Sequence, residues 1–182
     1  GQWGKAHLEQ VYEALYQIGF THIVEVALGA DLTTKNEAQE ALEAKHENRK
    51  ITTSCCPAFV SYIKLKFPKV YQEHTSNVLS PMAITARIAR EKYGKEAKTV
   101  FIGPCVAKKA ERLLPKNIES IDYVLTFEEI TAMMKAKDID PISLEGNGED
   151  VEPGSLSARN FCVTGGVAQS LNNYLSEIGS EE

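Results

Sequence analysis

The chain has 182 residues, is 43% hydrophobic and carries a formal charge of −5, enough for one domain with a sizeable core, or two small lobes. No Lys/Arg cluster is longer than a pair and no apolar run approaches the ~20 residues of a membrane span, which argues against a nucleic-acid surface and a membrane segment. The start, "GQWGKAHLEQVYEAL", has no apolar signal core, and four scattered cysteines are not a secreted disulfide framework, so a cytoplasmic chain with reduced or metal-bound thiols is expected.

From His7 to Phe20, the residues Leu8, Val11, Tyr12, Leu15 and Ile18 share one helical face, and Gly19 supplies a stop. "THIVEVALGADL" (21–32) reads as a buried strand running into a loop. A Thr34-x-x-Glu37 capping box then opens a helix through "TTKNEAQEALEAKHENR" (33–49). "KITTSCC" (50–56) reads as a second strand, and Pro57 suits the first turn of the helix "PAFVSYIKLKF". Ser80 and Pro81 form an N-cap and N1 pair for "SPMAITARIAREKYG", which Gly94 ends.

"KTVFIGPC" (98–105) and "DYVLT" (122–126) read as strands, and Thr126-x-x-Glu129 caps a helix through "EEITAMMKAK". The acidic stretch 141–159, with its Gly, Ser and Pro, reads as a flexible loop or linker. "NFCVTGG" (160–166) reads as strand and turn, and Val167, Leu171, Tyr174, Leu175 and Ile178 recur at helical spacing behind it. Alternating strands and helices predict an α/β fold: a mainly parallel sheet with helices on both faces. Ligands of such sheets gather beyond the carboxyl ends of strands, where this reading puts Cys55, Cys56 and Cys105.

A free cysteine is ordinarily a small buried hydrophobe, and Cys162 asks for nothing more. The other three sit around prolines at junctions where a helix N-terminus stabilises a thiolate. Adjacent cysteines strain a mutual disulfide and lack the C-x2-C spacing of a structural zinc site, so Cys55 and Cys56 are expected to do different jobs. Lys108 and Lys109, three and four residues beyond Cys105, either bring positive charge to a metal-thiolate or anionic ligand or lie solvated in a helix's first turns. A capping box with Thr34 would by itself account for Glu37, and a solvated face for Glu40. On these residues alone, a small α/β thiol protein using Cys55 or Cys105 in redox exchange is the bland alternative.

"TSCCPAF" and "GPCVAKKAE" resemble the first and second cluster motifs of the iron-only (FeFe) hydrogenases, usually T-S-C-C-P-x-W and M-P-C-x-x-K-K-x-E. "GADLTTKNEAQEA", "SPMAI", "DYVLTFEEI" and "TGGV" follow in that family's order, so the resemblance covers nearly the whole chain. It implies one lobe, or most of it, of a catalytic domain that reversibly oxidises H2 and reduces protons. The cofactor it implies is an H-cluster, a 4Fe-4S cubane joined through a cysteine to a two-iron centre carrying CO, cyanide and a dithiolate.

Carried over position by position, Cys56 and Cys105 would be two of the cubane's four ligands, and Cys55 the thiol that passes protons to the two-iron centre. Glu37, Ser76 and Glu40 would form the relay running outward. Lys108 matches the lysine that hydrogen-bonds a cyanide; Pro104, Ala107, Ser80 and Pro81 match pocket walls, and Phe161 an aromatic residue near the cluster. The resemblance also implies ferredoxin or another electron-transfer domain as partner, hydrogenase maturation proteins, and the hydrogen metabolism of an anaerobe.

Three positions depart from the pattern: Phe59 stands for Trp, Gly103 for Met, and Met82 for a polar residue. They suggest a divergent branch and keep a second expectation open, a non-catalytic sensory domain or an iron-sulfur assembly protein. The family's C-x3-C motif with its glycine run does not occur in these 182 residues, nor does its apolar opening segment. The expectation is therefore a piece of a larger protein that alone turns over no H2 and holds no stable cluster.

Overall fold

The computed structural model describes residues 3–146 and 151–179. The apolar spacing of the first segment becomes α1 (Leu8–Ile18), which buries Tyr12, Ala14 and Leu15 and ends where Gly19 takes a φ of 123°, a conformation that costs a residue without a Cβ little. α2 (Val26–His46) replaces both the strand predicted at 21–32 and the helix start predicted at Thr34. The residues that suggested a strand and a cap are the packing face of one long helix. Gly29 brings its backbone against α5 (Pro81–Tyr93), where a Cβ would run into the Pro81 carbonyl and the Thr85 side chain. Thr33 and Thr34 turn their hydroxyls back onto the carbonyls of Gly29 and Ala30, each at 2.9 Å, as a buried mid-helix threonine must when no water reaches it. The capping box at Thr34 does not exist, and Glu37 is released for another partner.

α3 (Pro57–Lys66) and α4 (Pro68–His74) begin at their prolines, and α5 begins at Pro81 after Ser80, whose Oγ accepts the Ala83 N–H at 3.4 Å. Gly94 ends α5 with a φ of 96°. β1 (Val100–Ile102), α6 (Ala107–Arg112) and β2 (Tyr123–Leu125) then form a parallel crossover in the register Val100–Tyr123, Phe101–Val124 and Ile102–Leu125. α7 (Phe127–Ala136) starts with the expected box, Thr126 and Glu129 each bonding the other's backbone N–H. After a 3-10 turn at Pro141–Ser143 come α8 (Leu156–Arg159) and α9 (Gly166–Glu177).

The chain is α/β, but among the described residues its sheet has two strands, β1 and β2. "KITTSCC" contributes a single parallel bridge, Thr52–Thr75, rather than a strand, and Asn160–Cys162 is a 3-10 turn. β-branched content makes a strand only where a neighbour offers a ladder. Here Thr53 and Ser54 bond instead to the Glu37 carboxylate and the Val78 carbonyl. Cys55 and Cys56 consequently lie on an irregular segment leading into α3, and Cys105 on the turn between β1 and α6.

One apolar core joins Ala14 and Leu15 of α1 to Ile130 and Met134 of α7; a second joins Met82 and Ala86 of α5 to Ile121 and Val124, with Phe101 packed on it. Of the predicted loop, residues 147–150 lie outside the described residues, and 154–159 are tied to α2: Gly154 N–H and the Arg159 guanidinium bond Glu25, and Ser155 bonds Asp31. Among the described residues, no helix is long and apolar enough to cross a membrane.

Candidate functional site

Three stretches meet on one side of α2 and α5: the segment 52–56, the segment 75–80, and the turn leading into α6. Cys56 is the N-cap residue of α3, its Sγ accepting the Phe59 N–H at 3.5 Å, and it is exposed. Cys105 is half-buried two residues ahead of α6, and α3 and α6 pack against each other. Both thiols therefore stand at the starts of adjoining helices, and all four cysteines are free.

Behind them lies the acidic side. Cys55 is half-buried, and its N–H reaches the Thr53 Oγ at 3.3 Å. The Thr53 hydroxyl donates to Glu37 Oε1 at 2.5 Å. Glu37 is 6% exposed, and burial pushes its carboxyl above the ordinary value, with Glu40 adding and hydrogen bonds from Thr53 and the Ser54 N–H opposing. Burial likewise pushes the Cys55 thiol up; the Thr53 hydroxyl and Lys108 pull it partly back, while Glu37 adds. One turn further along α2, Glu40 accepts the Ser76 hydroxyl at 2.5 Å and the Asn77 N–H at 3.2 Å. The four residues expected in a relay thus form two bonded groups, Cys55–Thr53–Glu37 and Ser76–Glu40, linked through one face of α2.

On the cationic side, Lys108 donates to the Cys55 carbonyl at 3.2 Å and to Glu111 Oε2 at 2.6 Å. Glu111 also accepts the Ser80 hydroxyl, so the expected wall residue Ser80 bonds a carboxylate. Pro81, buried, continues from it as the first residue of α5, while Pro104 is exposed and Ala107 half-buried on either side of Cys105. Phe161 is set apart: it is half-buried in the turn Asn160–Cys162, which packs against α8 and α9 rather than the cysteine-bearing elements.

Two contributors escaped the sequence reading, Thr53 and Glu111. Both lie inside the quoted motifs "TSCCPAF" and "GPCVAKKAE", but spacing gave neither a partner. The departures at Gly103 and Met82 also acquire a common neighbour. A Cβ at Gly103 would meet the Phe101 ring at 2.8 Å, and that ring packs on the core containing Met82.

Among the described residues, no group of three or more His, Cys, Asp or Glu side chains is assembled to hold a metal ion. Two free thiols on neighbouring helix starts are nonetheless the donor type an iron-sulfur cluster takes, two of the four thiolates that a cubane needs.

Residues 2–182 match the family described as iron only hydrogenase large subunit, C-terminal domain, and the chain belongs to that family. It is 31% identical over 191 residues to the periplasmic [Fe] hydrogenase large subunit of Nitratidesulfovibrio vulgaris, an alignment covering 96% of this chain and 45% of that protein. The cytosolic Fe-S cluster assembly factor NAR1 of Candida dubliniensis is 28% identical over 140 residues, 65% of this chain and 24% of that protein. The fold is similar to that of an apo [FeFe]-hydrogenase HydA1 variant from Chlamydomonas reinhardtii, with a TM-score of 0.70 and 25% identity over 82% of this chain and 42% of that one. The chain thus spans less than half the length of the curated relatives it matches.

Proposed function

We propose that this chain is part of the catalytic domain of an iron-only hydrogenase that reversibly interconverts H2 with protons and electrons. The observation that carries the reading is the buried Glu37 carboxyl joined through the Thr53 hydroxyl to the Cys55 backbone N–H, beside thiols at the starts of two adjoining helices. When bound, the H-cluster supplies the redox chemistry and the making and breaking of the H–H bond. Cys56 and Cys105 would give it two thiolates, the remaining ligands coming from elsewhere in the parent protein.

The rest is the work of this chain's own side chains. Burial keeps the Cys55 Sγ protonated, so the thiol holds a proton next to the cluster-facing surface. Glu37 is raised toward neutrality by the same cause, which suits a carboxyl that takes up and releases that proton. Ser76 and Glu40 continue the route outward. Lys108 presents a cation to an anionic ligand, and Pro104, Ala107, Ser80 and Pro81 complete the pocket, while Phe161 stands apart from it against α8 and α9. Ferredoxin or a related electron carrier, maturation proteins and a cytoplasmic setting belong to this reading; among the relatives, one is named periplasmic and another cytosolic.

Full-length parent protein, matured with the two-iron centre and given reduced viologen, evolves H2 on this reading. Cys56→Ser then loses or weakens the cubane absorption, whereas Cys55→Ser keeps the cofactor and loses turnover. An intact, matured sample without H2 evolution rejects it. The chain alone is expected to be inactive, since two thiolates do not substitute for four. A non-catalytic assembly or sensory role is the second reading, favoured by the assembly-factor relative and the Gly103 and Met82 departures. The retained Cys55 and its contact through Thr53 to Glu37 weigh against it.

A further inference from the structure

Lys108 carries a charge on a long flexible stem into the interior. Its side chain is 11% exposed, against 44% for the neighbouring Lys109, which pairs with Glu129 near the surface. A buried ammonium needs acceptors, and a four-carbon stem needs something to hold it in one rotamer. Glu111 meets both needs. Its Oε2 accepts the ammonium at 2.6 Å, and the side chain is itself 7% exposed.

Residue 111 is also fixed at both ends. Its other carboxylate oxygen accepts the Ser80 hydroxyl, and Ser80 is held in turn as the N-cap of α5. Its backbone carbonyl accepts the Asn117 amide at 3.0 Å, and Asn117 is fully buried. The carboxylate therefore cannot follow the lysine if the lysine moves; the lysine must come to it. A lysine ammonium has three N–H donors, of which Glu111 takes one and the Cys55 carbonyl, at 3.2 Å, another. The third meets no acceptor among the described residues and is left for a ligand beside Cys55.

We propose that Glu111 is a positioning residue: clamped by Ser80, it fixes the Lys108 ammonium against the Cys55 carbonyl, leaving one N–H to meet an anionic ligand of the site. The purpose of that donor rests on the hydrogenase reading, whereas the clamp stands on the protein's own side chains. Without Glu111 the stem is free to turn outward as Lys109 does.

The test is amine acetylation with acetic anhydride of the full-length parent before maturation, with Lys108 and Lys109 quantified by mass spectrometry. In the unsubstituted protein Lys108 reacts about tenfold more slowly than Lys109. Glu111→Gln brings the two rates together while the other lysines keep theirs, and Glu111→Asp retains part of the protection. Equal rates in the unsubstituted protein overturn the proposal, and that measurement needs no variant to fold. Unchanged protection of Lys108 in folded Glu111→Gln overturns it as well. After maturation, Glu111→Gln shifts the infrared cyanide bands in the same direction as Lys108→Met; unshifted bands remove the ligand-facing role. Protection lost in Glu111→Gln, in a matured parent that makes no H2, rejects the hydrogenase reading and leaves the clamp; H2 evolution with an unprotected Lys108 does the reverse.

Discussion

The two sides of Cys55 are built from the same parts, buried carboxylates and hydroxyls, yet they do opposite things. On the α2 side Glu37 and Glu40 are held by the Thr53 and Ser76 hydroxyls and by the Ser54 and Asn77 N–H groups, with no cation in the bonded groups. On the α6 side Glu111 is held by Ser80 and by the Lys108 ammonium. A hydroxyl orients a carboxylate without balancing its charge, so burial dominates at Glu37 and raises its pKa. A cation turns the same arrangement into a fixed brace. Whether a buried carboxylate has its pKa raised or is fixed beside a cation is thus decided by what stands opposite it.

The largest effect expected from breaking this contrast is on the braced side. Glu111→Ala removes the counter-charge of a largely buried ammonium, a loss of about 3–5 kcal/mol where the charge stays buried and less once the Lys108 stem turns outward. A marked drop in the urea midpoint of the unmatured full-length protein would register it. The pair Lys108→Met with Glu111→Leu removes both charges and should recover much of that stability, because apolar replacement of a buried ion pair is often tolerated. If the double variant is as damaged as the single one, the brace is not electrostatic.

On the acidic side, Thr53→Val withdraws the hydroxyl from Glu37 and should cost about 1–3 kcal/mol, the usual penalty for leaving a buried polar group unpaired. The same denaturation series measures it, and a neutral result would mean that water replaces Thr53.

Smaller, and specific to the raised carboxyl, is a change in pH dependence. Below the unfolded pKa, Glu37 is protonated in both states and contributes nothing. As pH rises past that value the unfolded chain loses the proton first, so stability falls until the folded, raised pKa is passed. Glu37→Gln should flatten this fall above about pH 4.3, the unperturbed glutamate value. An unchanged slope would show that Glu37 does not titrate as a buried group.

The smallest effect concerns the thiols. Cys55 should react with iodoacetamide more slowly than Cys56, since burial disfavours its thiolate while Cys56 is exposed. Peptide mapping after a short exposure separates the adjacent residues by serine substitution of either one, and a faster Cys55 would contradict the geometry.

Much of the helical frame was legible because its signals are local. Spacing found α1 and α9, proline found the start of α3, the Ser80–Pro81 pair found α5, and the Thr126–Glu129 box found α7. The region 21–34 was misread because a glycine, alanines and threonines packed against another helix look like a strand, a turn and a cap. Their hydroxyls turn back onto carbonyls of the same helix, Thr33 also reaching the Leu79 carbonyl, and leave no periodic mark. The strand at 50–56 failed for the converse reason: strand propensity without a neighbouring ladder yields one bridge.

At the site, the sequence by itself determined the chemical inventory: thiols beside prolines, lysines close after Cys105, and two glutamates one turn apart. Tertiary structure alone decided the partners. Thr53 meets Glu37 across 16 positions, Ser80 meets Glu111 across 31, and Lys108 meets the Cys55 carbonyl across 53. Bonds of that span follow from how α2, α5 and α6 pack, and no local pattern encodes them. Removing Glu37 from its supposed cap and burying it beside Thr53 is the clearest case, because the same residue changes from a helix signal into a buried carboxyl with a raised pKa once α2 is seen to begin at Val26.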